Sequence, residues 1–280
     1  MFRNSLPVCF ACCALATTLC SSFAAQDNKG FSIEGATDAG IATSTPYDKF
    51  IAIDMLVAAA GAEKTTFWVT YLNHVQATID PDKFSDKAVS LPVLLGFRIC
   101  DGVMAIKARN AEKLNACASD IEKLARKMGV PDDRMTRARN VRIHANRGEW
   151  ARVYLELGYL QQDINRVFAE FGDKDSKKIV MASGWIQGAR YTSTIISEHY
   201  TEETSGLLRE PRLAEALAKQ LKQIEAAKQS SPLITSLVAA LGDLGTLINV
   251  PMNGSISKEN VTRIAASASE AVRACVAAAK

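Results

Sequence analysis

Apolar residues along this chain recur at alternating spacings of three and four, the period of one face of an α-helix. The clearest run is Ala111, Leu114, Ala118, Ile121, Ala125 and Met128, and Gly129-Val130-Pro131 then supplies a C-cap glycine and a proline stop. Trp150, Val153, Leu157, Leu160, Ile164, Val167 and Phe171 repeat the pattern and end at Gly172. Thr45 and Pro46 form an N-cap and first helical position for a helix reaching Ala60 and stopping at Gly61. Further helices are predicted over 64–79, from Ser85 to Lys107 with Pro92 in the opening turns, over an Arg-rich 132–147, and over 176–199, 210–228, 232–248 and 258–278. A short extra turn fits 201–208. Strict alternation is absent, and the one Asn-Gly pair, Asn253-Gly254, lies between helical stretches. The pattern predicts an all-α fold of about ten antiparallel-connected helices. A bundle and an irregular helical-hairpin array both satisfy it, whereas a regular tetratricopeptide repeat of about 34 residues does not.

The first segment carries a different signal. Arg3 precedes an apolar run from Leu6 to Leu19, followed by small and polar residues through Ser22-Phe23-Ala24. That is the order of a secretory signal peptide, with cleavage expected after Ala24. The run is shorter than the roughly 20 residues that span a bilayer. A lipid anchor on Cys20 is the rival reading, although bulky Leu19 suits a lipoprotein signal poorly. Residues 25–44, rich in Gly, Ser, Thr, Asp and Ala, read as a flexible N-terminal arm. Residues 45–280 then form one helical domain, periplasmic or secreted, with no later transmembrane segment.

Composition narrows the classes. With 48% apolar and 22% charged residues, the 280-residue chain is neither disordered nor fibrous. Lys+Arg 33 against Asp+Glu 30 leaves +3, too small a balance to drive nucleic-acid binding. Four of the seven cysteines, Cys9, Cys12, Cys13 and Cys20, fall in the leader. Of the other three, Cys100 and Cys117 are equidistant from the turn predicted at 107–110, so two antiparallel helices would hold them level. Export permits a disulfide between them. Cys275 continues the apolar stripe of Val261, Ile264, Ala268 and Ala271.

Catalytic signatures are sparse. The three histidines, His74, His144 and His199, fall on separate helices, without H-E-x-x-H or Glu-x-x-His spacing, so no metal or other cofactor is expected. Ser255-Ile256-Ser257-Lys258 matches S-x-x-K, but the S-D-N and K-T-G partners are missing, and Ser257 reads as an N-cap. Arg134, Arg137, Arg139, Arg142 and Arg147 surround their helix instead of marking one face, with Asp132, Asp133, Glu149 and Glu156 as ready partners. Asp101, in the apolar phase of its helix, reads as a buried acid paired with Arg98. Gly184-Trp185-Ile186-Gln187-Gly188 strips side chains from one side of a helix at Gly184 and Gly188. It reads as a close helix-packing surface or, alternatively, a ligand surface with Trp185.

Leu95-Gly96-Phe97-Arg98-Ile99-Cys100-Asp101, the Leu124 to Gly129-Val130 helix stop and Gly184-Trp185-Ile186-Gln187-Gly188 resemble a group of exported all-helical Gram-negative proteins of uncharacterised function, over roughly residues 90–200. The resemblance implies export and an all-α fold, and no activity. The reading that follows is an exported non-catalytic protein binding an envelope partner or acting as a scaffold. The alternative is a periplasmic binding protein for a small or amphipathic ligand held between helices, with the aromatic-rich helices at 67–71 and 150–171 lining the pocket.

Overall fold

The structure is a computed structural model that describes residues 46–75, 83–84, 88–170, 173–251 and 253–279. The expected leader (1–24), the arm (25–44), Cys20 and the Thr45 cap lie outside the described residues. Those described form helices, turns and loops, with no strand among them. The predicted all-α fold is therefore the fold observed. Among the described residues no helix is long and apolar enough to cross a membrane.

Helix α1 spans Pro46–Ala59 and α2 spans Lys64–Thr70, followed by a 3-10 turn at Leu72–His74. Glu63 caps α2 by accepting from the Thr65 and Thr66 amides at 3.0 and 2.6 Å, which pulls its carboxyl down to about 2. Helices α3 (Ser90–Lys107) and α4 (Ala111–Lys127) form a hairpin closed at Arg109, whose φ is +47°. A 3-10 turn at Asp132–Met135 leads into α5 (Thr136–Asn146), and α6 runs Trp150–Glu170. Helix α7 (Lys174–Glu198) is capped by Asp173. The short α8 (Glu202–Ser205) and a 3-10 turn at Gly206–Leu208 precede α9 (Pro211–Leu221), α10 (Ala226–Gln229), α11 (Pro232–Ile248) and α12 (Lys258–Ala278).

Helix α7 is the centre: α1, α3, α6, α9, α11 and α12 all pack on it. It buries residues on every side, from Ser176 through Ile196, and α3 is buried almost as completely. Neither has a sharply polar face, as expected for helices enclosed by others. Their crossing is at Gly96 and Gly184. A Cβ on Gly96 would lie 2.1 Å from the Ser183 Oγ and 2.4 Å from the Val180 carbonyl oxygen, so hydrogen alone fits there. Around this axis lie three apolar clusters. The largest joins α3, α7, α9, α11 and α12. A second packs Phe50, Trp68 and Tyr71 against Cys100, Met104 and Tyr191. The third joins α3 to α6 through Ile106, Leu114, Val141 and Val153.

Several boundaries differ from the periodicity. The helix expected over 64–79 ends at Thr70, because the following 3-10 turn is what carries Leu72 and Val75 inward. Helix α3 opens at Ser90, and Ser85 lies outside the described residues. The helix expected over 210–228 breaks after Leu221; Ile224 turns into the core, and the Glu225 amide is capped by Asp175 at 2.9 Å. The Arg-rich stretch begins as a 3-10 turn rather than a full α-helix.

Candidate functional site

Three constellations bring chemistry together. The first is internal. Arg98, the predicted partner of Asp101, reaches it at 2.9 Å and also holds Asp120 at 2.7 Å; all three side chains are buried. The other oxygen of Asp101 accepts from the Tyr191 hydroxyl at 2.5 Å and from Gln187 Nε2 at 2.6 Å. Gln187 also donates to the Tyr191 oxygen at 3.2 Å. Tyr191 lies 3.2 Å from the His74 carbonyl oxygen, linking the network to the N-terminal segment. Burial pushes the Asp101 carboxyl up, against the pull of Tyr191, Arg98 and Gln187. Burial and the adjacent Asp101 charge push the Tyr191 phenol and the Cys100 thiol well up. Two carboxylates share one guanidinium in a dry interior, an arrangement that holds three helices in one register. The groups are engaged with one another, and all five side chains are buried.

Sequence reasoning found Arg98–Asp101 and missed Asp120, Gln187 and Tyr191. Asp120 could have been found, since it sits three residues after Cys117 and four before Leu124 on the inward stripe of α4. Gln187 and Tyr191, four residues apart on α7, face α3 together, and nothing in the local pattern marks them.

The second constellation is at the surface. The Tyr71 hydroxyl donates to Glu198 at 2.8 Å and accepts from His199 Nε2 at 2.9 Å. Burial and Glu198 push the phenol up. The His74 ring stacks on Tyr71 at 6.0 Å between centroids, and Phe67 contacts both Tyr71 and His199 at 5.3 and 5.5 Å. Two of the three histidines therefore meet at one tyrosine, although they come from separate segments. Nearby, Asp54 accepts from Lys107 and Trp68 Nε1, both at 2.5 Å. No cluster of His, Cys, Asp or Glu with metal-holding geometry occurs among the described residues.

The third is the arginine run. Arg142 reaches Glu122 at 3.0 Å on α4, and Arg137 reaches Glu156 at 3.4 Å on α6 while lying 4.7 Å over the Tyr159 ring. These flanking arginines join α5 to its neighbours; Glu156 is among the partner acids offered by the sequence, and Glu122 is not. Arg139 and Arg147 point outward on the remaining face, one turn either side of Ile143. His144 Nδ1 and Glu149 are 2.6 Å apart across the α5–α6 turn.

The remaining predicted positions are structural. Cys100, Cys117 and Cys275 are free, buried thiols, so the expected Cys100–Cys117 bridge is not made. The hairpin turns at Arg109, and this register sets Cys117 opposite Gly102: a Cβ there would be 3.8 Å from the Cys117 Cβ. Gly184 serves helix approach, as described. Gly188 is buried, and so is Trp185, whose Nε1 donates to Glu210 at 3.1 Å. Two open surface hollows, of about 290 and 340 Å3, are lined by Lys127, Asp173 and Lys228 and by Glu122, Arg139 and Ile143 respectively; neither has a tryptophan in its wall. No family model, no curated protein and no solved structure matches the chain.

Proposed function

We propose that the protein is an exported, non-catalytic helical protein of the bacterial envelope that works by presenting a surface to a partner. One observation carries the reading. Helices α5 and α6 expose three large apolar side chains, Ile143 at 45%, Leu155 at 58% and Tyr159 at 42%. Arg137, paired with Glu156, lies over the Tyr159 ring, and Arg139 and Arg142 line a surface hollow with Ile143. Exposed apolar side chains beside arginines, one of them stacked on a tyrosine, are features of a protein–protein contact. The engagement of Asp101, Asp120, Gln187 and Tyr191 with one another favours a structural role for the internal network. The burial of Trp185 against Glu210 removes one expected wall of a ligand pocket, which favours the surface reading over a ligand held between helices.

The test is capture from an envelope fraction on immobilised protein. Wild type should retain a defined partner that Ile143→Asp/Leu155→Asp loses, with melting temperature unchanged because both positions are exposed. Equal retention by both proteins would overturn the reading.

A further inference from the structure

Resting on that surface reading, we infer that the partner contributes an acidic amphipathic helix, which lies along α5 with an apolar side chain against Ile143 and a carboxylate on each of Arg139 and Arg147. The charge of the chain is concentrated here. From Arg134 to Arg152 there are six arginines and one acid, Glu149. That stretch carries +5, against +3 for the whole chain, so everything else together is −2. Arg134, Arg137, Arg142 and Arg152 each have a carboxylate within 3.4 Å, on Glu170, Glu156, Glu122 and Glu149. Arg139 comes no nearer than 3.9 Å to Asp132 and is 46% exposed, and Arg147 is exposed at the end of α5.

Arg139, Ile143 and the C-cap Arg147 are spaced by four, so they lie along one exposed side with the two arginine Cα atoms about 12 Å apart along the axis. A helix carrying Glu-x-x-x-Leu-x-x-x-Glu presents the complementary stripe at the same pitch. Arg139 and Ile143 also line the 340 Å3 hollow between α4 and α5, which gives the apolar side chain a seat. Ile143 in its wall suits an apolar side chain and not a polyphosphate. Arginine suits carboxylates through paired donors, and steering by the local positive field speeds encounter.

The probe is a fluorescein-labelled synthetic helix with two Glu-x-x-x-Leu-x-x-x-Glu repeats, measured by anisotropy on the full chain. Its comparators are the same composition scrambled, poly-glutamate and a single-stranded oligonucleotide. The designed helix should bind best, and Arg139→Glu/Arg147→Glu should weaken it at least tenfold. Lys219→Glu/Lys222→Glu, on and just after α9, should leave it unchanged. Equal binding of the scrambled peptide, poly-glutamate or oligonucleotide would show polyanion attraction only and overturn the inference, as would indifference to the arginine reversals. The two proposals separate cleanly. If the arginine reversals keep the envelope partner while Ile143→Asp/Leu155→Asp loses it, the surface reading survives and the acidic helix does not.

Discussion

Tyr191 donates a 2.5 Å hydrogen bond to Asp101 from ninety positions further along the chain, inside a contact from which water is excluded. The bond ties α7 to α3 just beyond the glycine crossing. With Arg98 and Gln187 it occupies both oxygens of the carboxylate. Tyr191→Phe should cost about 1.5–3 kcal/mol, the range for a hydrogen bond to a charged group. Asp101→Ala should cost about 3–5 kcal/mol, because Arg98 stays buried with half its partners gone. Urea unfolding of the two variants checks both; losses under 0.5 kcal/mol, the size of an ordinary surface change, would contradict the network's role.

The same carboxyl makes a pH prediction. Its folded-state value lies above the ordinary 3.8, chiefly because burial disfavours the charge. The folded protein therefore holds this proton more tightly than the unfolded chain. The stabilisation is fully present below about 4 and is lost as pH rises through the folded value. Glu63 works in the opposite sense, since its carboxyl is held at about 2 and its contribution is lost as pH falls. Subtracting the stability-versus-pH curve of Asp101→Asn from that of wild type isolates the first effect. The difference should decline with rising pH above 4 and then level off; a flat difference would refute it.

The two glycines at the crossing should respond unequally to alanine. Gly96→Ala drives a methyl into Ser183 and the Val180 carbonyl, and should cost more than the roughly 1–3 kcal/mol of ordinary overpacking. At Gly184 the nearest atom to an added Cβ is the Gly96 carbonyl oxygen at 3.4 Å, so Gly184→Ala should cost about 1 kcal/mol or less. Gly242, exposed within α11, has open space around it, and Gly242→Ala should raise stability by about 0.5–1 kcal/mol. Thermal melts of the three variants should fall in that order.

The thiols give a chemical check. Burial pushes Cys117 to about 12 and Cys275 to about 11, and Cys100 well up. In a chain starting at Ala25, which keeps only these three of the seven cysteines, none should react with Ellman's reagent in the native protein, and three equivalents should appear on unfolding. Intact mass should be the same with and without reductant. A mass two daltons lower without reductant would establish a disulfide, and the disulfide-linked peptide would tell whether it joins Cys100 to Cys117.

The sequence declared its amphipathic helices well, because a one-sided apolar stripe is a local signal. Helices α4 and α12 are capped by Asn110 and Ser257, in line with the start read near Asn110 and the N-cap read at Ser257. Helix α7 was legible as a helix but not as the centre, since burial on all sides erases the stripe that reveals orientation. The break at Lys222 was invisible locally. It depends on Asp175, fifty positions away, capping Glu225. The Arg98–Asp101 pair could be read because its members are three residues apart on one helix. The meeting of His74 and His199 at Tyr71 could not, since it depends on how the N-terminal segment docks on the end of α7. Equal distance from a turn brought Cys100 and Cys117 into one buried cluster, where both thiols are free.

The enclosure of α7 has a consequence for biosynthesis. Its wrapping is supplied by α1 near one end of the chain and α12 near the other. A ribosome that has released only the first 170 residues has not yet made the axle those helices need, and the final coat arrives with the last twenty. Until α12 is made, the core around α7 stays uncovered on that side.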